Sequence, residues 1–170
     1  TLASDGNWTP TERVRQAKLA NLETIAVTDH DTIYGVPEAL RAGKKYGVNV
    51  IPATELDAVY YNKEIVVEDV ELLGLNIDLD KIQPFLDRRW DDRLKSFKSY
   101  IVRFNSYINS SEYGRCNEDK KNPLQNPKNL SVEGVISWCN ERDNYVNPKP
   151  FLSKIDVVNY LISNYAVPSD

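Results

Sequence analysis

The sequence predicts an α/β fold for its first half, and three observations carry that expectation. The run Thr9-Pro10-Thr11-Glu12 has the S/T-x-x-E form that opens a helix. Two short apolar runs, Leu22 to Thr28 and Val48 to Pro52, each follow a helix-forming segment. The links between these segments are short. Helix, strand, helix, strand in that order is the pattern of parallel strands in βα units.

Each element has its own signal. Pro10 at the first helical position loses no useful N–H and presets φ, so a helix is expected from Pro10 to about Ala20, closed by Asn21 in a left-handed conformation. Leu22 to Thr28 then reads as a short buried strand. Val36-Pro37-Glu38 opens a second helix that should stop near Gly47, and Val48 to Pro52 forms the next buried strand, three residues ahead of Glu55.

Beyond about residue 78 the pattern changes. Ile82, Leu86, Trp90, Leu94, Phe97, Ile101, Phe104 and Ile108 recur every three or four residues and draw one apolar stripe along a helix of about seven turns. Pro84 falls in its first turn. Arg88, Arg89, Arg93 and Lys95 lie off the stripe and are expected to face solvent, the alternative being a basic face offered to phosphate. Asn109 to Asn129 is polar and proline-bearing, the composition of a long surface loop. A short helix should run from Ser131 to about Asn140. Pro148 and Pro150 then break the chain before a final helix from about Ser153 to Tyr165 that carries Ile155, Val158 and Ile162. The expected division is an α/β part over residues 1–78 and a helical part over 79–170.

Composition bounds the function. At 170 residues and 41% hydrophobic the chain can bury a core. A net charge of −4 and a pI of about 5.1 supply no general basic field, which disfavours nucleic acid as a structural partner and an anionic membrane surface. No apolar run is long enough to span a bilayer, and no signal peptide is expected. Cys116 and Cys139 lack metal-ligand spacing and read as reduced thiols, so a cytoplasmic location is expected. The absence of methionine, the initiator included, points to a trimmed chain.

The chemistry centres on Thr28-Asp29-His30-Asp31, which holds the only histidine in the chain. A histidine directly after a strand stands where α/β sheets and barrels present ligands, and it suggests a metal or phosphate site. Alone, such a triplet equally describes a turn. Asp5, in Ser4-Asp5-Gly6, is also a natural turn residue. Glu55 follows a buried strand, where an unpartnered carboxylate is costly. Asp5 and Glu55 each lie 25 residues from His30 in sequence.

Five stretches, taken together, are more specific: Ser4-Asp5-Gly6; Thr9-Pro10 with its helix; Ile25-Ala26-Val27-Thr28-Asp29-His30-Asp31-Thr32 with Gly35; Ile51-Pro52-Ala53-Thr54-Glu55; and Val70-Glu71-Leu72-Leu73-Gly74. In these the chain resembles the polymerase and histidinol phosphatase (PHP) domains, in particular the small bacterial metal-dependent phosphoesterases. The resemblance implies part of a distorted seven-stranded β/α barrel with a helical insertion at residues 79–170. It also implies divalent metals (Mn, Zn, Fe or Mg) held at strand ends, with Asp5, His30 and Glu55 at ligand positions and Asp29 and Asp31 orienting His30. The implied activity is hydrolysis of phosphate esters of nucleotides or similar small molecules by metal-activated water.

The departures from that pattern are specific. The family's opening H-x-H would end just before Thr1, its closing D-x-H would lie far beyond residue 170, and Glu71 stands where a histidine precedes Leu-Leu-Gly. Pro148-Lys149-Pro150-Phe151 aligns loosely with another histidine-bearing stretch. Two expectations follow: an excerpt of a longer enzyme, weakly active by itself, or a binding or scaffold module with an incomplete metal site. An incomplete barrel would leave a strand edge open, so self-association is also expected.

Overall fold

The computed structural model describes residues 1–61, 64–113 and 127–165. Helix α1 (Pro10–Leu19) starts as the capping signature predicts: the Thr9 hydroxyl accepts from the Glu12 N–H at 3.1 Å. Asn21, with φ 58°, turns the chain into strand β1 (Thr24–Val27). Helix α2 (Val36–Tyr46) ends on Gly47, whose φ of 69° suits a residue without Cβ. Strands β2 (Asn49–Tyr61) and β3 (Val66–Leu75) complete a mixed sheet of order β1-β2-β3.

Strand β1 pairs parallel to β2, from Thr24↔Asn49 to Val27↔Pro52, as the alternating pattern predicts. Two features differ from the sequence reading. Strand β2 does not stop at Pro52 but runs on to Tyr61, and β3 returns antiparallel to it from Ala53↔Leu75 to Tyr61↔Val66. The physical reason is that Leu56 to Tyr61 is rich in residues suited to a pleated surface and finds a partner only when β3 folds back. The parallel pairing expected of the first two strands holds, and β3 adds an antiparallel neighbour.

The chain forms two compact units. One comprises Thr1–Trp90 with Tyr145–Phe151, and the other Asp91–Asn144 with Leu152–Asp170. In the first unit Val14, Ala17, Val27, Ala39, Ala42, Val48 and Val50 bury the facing sides of α1, α2, β1 and β2. Helix α2 approaches β2 so closely that a Cβ at Gly43 would lie 2.6 Å from the Val48 carbonyl oxygen. A smaller cluster joins Ile33, Val36 and Leu86, with Leu79 and Ile82 packed against it. The first turns of helix α3 (Leu79–Ile108) therefore pack with the α/β unit, which extends to Trp90.

In the second unit the predicted stripe is buried at Phe97 and Ile101, against Leu130, Val135, Cys139, Leu152, Val157 and Leu161. Asn105 fixes the returning chain by donating to the Leu130 carbonyl and accepting from its N–H. Two further helices follow, Val132–Asp143, capped by Ser131, and Lys154–Tyr165. In the latter the buried face is Val157 and Leu161, whereas Ile155, Val158 and Ile162 are exposed. Most of the predicted loop, and Cys116 with it, lies outside the described residues. No helix among the described residues is long and apolar enough to cross a membrane.

Candidate functional site

The parallel register of β1 and β2 sets the site. Past Val27 it continues as a bridge between His30 and Glu55: the Asp31 N–H donates to the Glu55 carbonyl at 2.7 Å, and the Glu55 N–H to the Asp29 carbonyl at 3.1 Å. Two residues 25 apart in sequence thus sit side by side. The buried Thr54 hydroxyl lies 3.0 Å from the carbonyl oxygens of both Asp29 and Thr32 and pins the same turn. Asp31 adopts φ 50°, a left-handed conformation that aspartate tolerates better than most residues.

Around the imidazole the carboxylates are ordered. His30 Nδ1 is 2.7 Å from Asp57 Oδ1, while Nε2 is 3.7 Å from Glu55 Oε2 and 3.9 Å from Asp5 Oδ2. A neutral ring that donates its Nδ1–H to Asp57 leaves the Nε2 lone pair directed at the other two carboxylates. Phe151 lies against the ring with centroids 5.6 Å apart.

The charges act on one another. Burial pulls the His30 pKa down, but the hydrogen bond to Asp57 and the charges of Asp57, Asp5 and Glu55 outweigh it, so the imidazole titrates above its ordinary value. Burial raises the Glu55 carboxyl; His30 opposes that rise, and the neighbouring Glu71 reinforces it by charge and by a shared hydrogen bond. Glu71 therefore stands beside Glu55 rather than apart from it.

The Nδ1 partner of the ring is Asp57, which the sequence did not single out. Asp29 is buried and takes bonds from the Thr1 nitrogen, the Thr1 hydroxyl and Ser4 Oγ. Asp31 accepts from the Asp57 N–H at 3.3 Å and forms a two-pronged pair with Arg89, 2.6 Å to Nε and 2.9 Å to Nη2. Arg89 also donates to the Asp57 carbonyl. The expected solvated face is thus broken at Arg89, which reaches Asp31 and Asp57 because the first turns of α3 pack on the α/β unit. Gly35 leaves the space that Asp29 needs, since a Cβ there would lie 2.8 Å from Asp29 Oδ2.

Asp5, Asp29, His30 and Glu55 line one cleft of about 240 Å³, together with Ser4 and Arg13. Among the described residues no group of three or more histidine, cysteine and acidic side chains stands ready-made as a metal cage. Adjacent ligands on a cation with bonds of about 2.0–2.2 Å lie roughly 3.0–3.5 Å apart, against the 3.7 and 3.9 Å found from Nε2. One imidazole nitrogen facing carboxylate oxygens fits a divalent cation in donor chemistry.

The chain belongs to the PHP domain family, which matches residues 1–130. It is 40% identical over 81 residues to the 5'-3' exoribonuclease Rnm of Salmonella typhimurium, a match covering 46% of this chain and 26% of that protein. By structure it is similar to a proposed metal-dependent phosphoesterase from Bifidobacterium adolescentis (TM-score 0.63, 20% identity, 96% of this chain and 47% of the other). It is equally similar to an amidohydrolase from Chromobacterium violaceum with bound sulfate and no metal (TM-score 0.63, 21% identity, 96% and 47%). The chain spans about a quarter of the curated relative and about half of each structure.

Proposed function

We propose that this chain is part of a metal-dependent phosphoesterase that hydrolyses phosphate esters of nucleotides or similar small molecules, with Asp5, His30 and Glu55 as metal ligands. The observation that supports this best is the approach of two carboxylates to His30 Nε2 while Asp57 engages Nδ1. At such a site a divalent cation (Mn, Zn, Fe or Mg) supplies polarisation of a phosphoryl oxygen and acidification of a water molecule. The residues do the rest: Asp57 fixes the ring tautomer, Asp31 and Arg89 fix Asp57, and Glu71 offers a further oxygen next to Glu55. On this reading the α/β unit is part of a seven-stranded barrel, residues 79–170 form its insertion, and the enzyme works in the cytoplasm. Likeness to an exoribonuclease adds RNA taken from its 5' end to the substrates worth testing.

The competing reading is a binding module of the same fold, favoured by the single imidazole and by Glu71 at the position of a family histidine. The test is metal titration and hydrolysis of an aryl phosphate, a nucleoside 5'-monophosphate and a short oligoribonucleotide by the whole gene product, beside its H30A variant. Metal-dependent turnover abolished by H30A is expected. A whole protein that binds no divalent cation and turns over none of the three belongs to the module reading.

A further inference from the structure

Arg13 projects from α1 into the lining of the cleft that holds Asp5, His30 and Glu55. The other ionisable side chains lining that cleft are Asp5, Asp29, Glu55 and His30, so Arg13 is the one permanent side-chain cation among them. Other arginines nearby are committed: Arg15 to Glu12, and Arg89 to Asp31. Among the described residues no carboxylate forms an ion pair with Arg13; its guanidinium carbon instead lies 4.6 Å from the centroid of the half-exposed Trp8 ring.

That arrangement has a chemical consequence. Stacking on an indole occupies one face of the guanidinium plane and restricts its orientation, yet leaves the five N–H donors at the edge of the plane available. A phosphate dianion entering this cleft meets the carboxylates of Asp5 and Glu55, and needs fixed positive charge from the protein to be held in one orientation. A guanidinium matches two phosphate oxygens at once, which an ammonium does not.

We propose that Arg13, steadied by Trp8, is the phosphate-gripping residue of this cleft, and that the group it takes is the terminal phosphate of a nucleotide-type monoester. The proposal rests on the phosphoesterase reading of the same cleft and names the part of the substrate that the metal ligands do not recognise. It makes the pair Trp8 and Arg13 a specificity element: an ester whose phosphate is already a diester presents one fewer charged oxygen to the fork and is held less well.

The experiment uses the full chain, with wild type, R13M, R13K and W8A compared by calorimetric titration of adenosine 5'-monophosphate, of inorganic phosphate and of adenosine, each with and without Mn²⁺, and by a separate Mn²⁺ titration. Expected are a loss of about tenfold or more in affinity for the monophosphate and for phosphate in R13M, a smaller loss in R13K, and a loss of a few-fold in W8A. Adenosine binding and Mn²⁺ affinity are expected to stay at the wild-type level in all three. Wild-type phosphate affinity in R13M, or an equal loss for adenosine, overturns the clamp. The two readings separate cleanly: a chain that binds phosphate through Arg13 but no Mn²⁺ retains the clamp and loses the phosphoesterase, and one that binds Mn²⁺ with phosphate affinity indifferent to Arg13 does the reverse.

Discussion

Replacing Asp57 by asparagine tests the arrangement of the site most directly, because the chain has one histidine and its ring resonances can be followed without ambiguity. Asparagine keeps the size and an acceptor oxygen but removes the charge from a 2.7 Å contact with His30 Nδ1. A hydrogen bond to a charged partner contributes about 1.5–3 kcal/mol and a neutral one about 1. The Asp57 side chain is 37% exposed, so the upper part of that range is discounted for solvent screening. A difference of roughly 1 to 1.5 kcal/mol is left, or about tenfold in an equilibrium. D57N should therefore bind a divalent cation about tenfold more weakly, and D57A up to about a hundredfold, the range seen when the support of a ligating histidine is removed. In the metal-free protein the His30 pKa should fall, since the contact with Asp57 is the leading influence that raises it. The assays are calorimetric metal titration and NMR titration of the ring protons. Wild-type metal affinity in D57A, or a His30 pKa that rises in D57N, would refute the role given to Asp57.

Three further outcomes are expected. R89M deprives the buried Asp31 of its two-pronged partner; with the arginine side chain 30% exposed the cost is about 2–3 kcal/mol, read by denaturant unfolding, and a loss below about 0.5 kcal/mol would show that the pair contributes little. G43A sets a Cβ against the Val48 carbonyl and 2.8 Å from Val50 Cγ2; strain of about 1–3 kcal/mol outweighs the helix propensity of about 1 kcal/mol that alanine adds, so the thermal midpoint should drop, and a higher midpoint would mean that α2 shifts freely. The pKa of Glu55 and that of His30 are both raised in the folded state, so the folded chain holds protons that the unfolded chain releases. Metal-free stability should accordingly decline as pH rises above about 4.5, through Glu55, and again above about 6.5, through His30. Unfolding free energies measured across that range that rise with pH in wild type but not in an E55Q/H30Q variant would contradict it.

The parts of this protein that are legible from sequence are those governed by neighbours a few residues away. The Thr9 cap, the turn at Asn21, the stop at Gly47 and the stripe through Phe97 and Ile101 depend on local hydrogen bonding and helical period, and each stands where the sequence places it. Motifs and spacing make Asp5, His30 and Glu55 stand out in the sequence, but only strand pairing brings Glu55 beside His30. Strand β1 lies parallel to β2 in a register that carries Glu55 to His30, and no local rule sets such a register. Asp57 carries no sequence signal because the apolar run of β2 ends at Pro52, and the extension of the strand depends on β3 folding back. Arg89 reads in the sequence as a helix-surface charge, and Arg13 carries no signal there; one turns inward to Asp31 and the other lines the cleft, because α3 and α1 each pack a particular face on the α/β unit. Short-range chemistry determines which segments become helix and strand, whereas the partners of a charge lie tens of residues away, and only the packing of those segments brings them within reach.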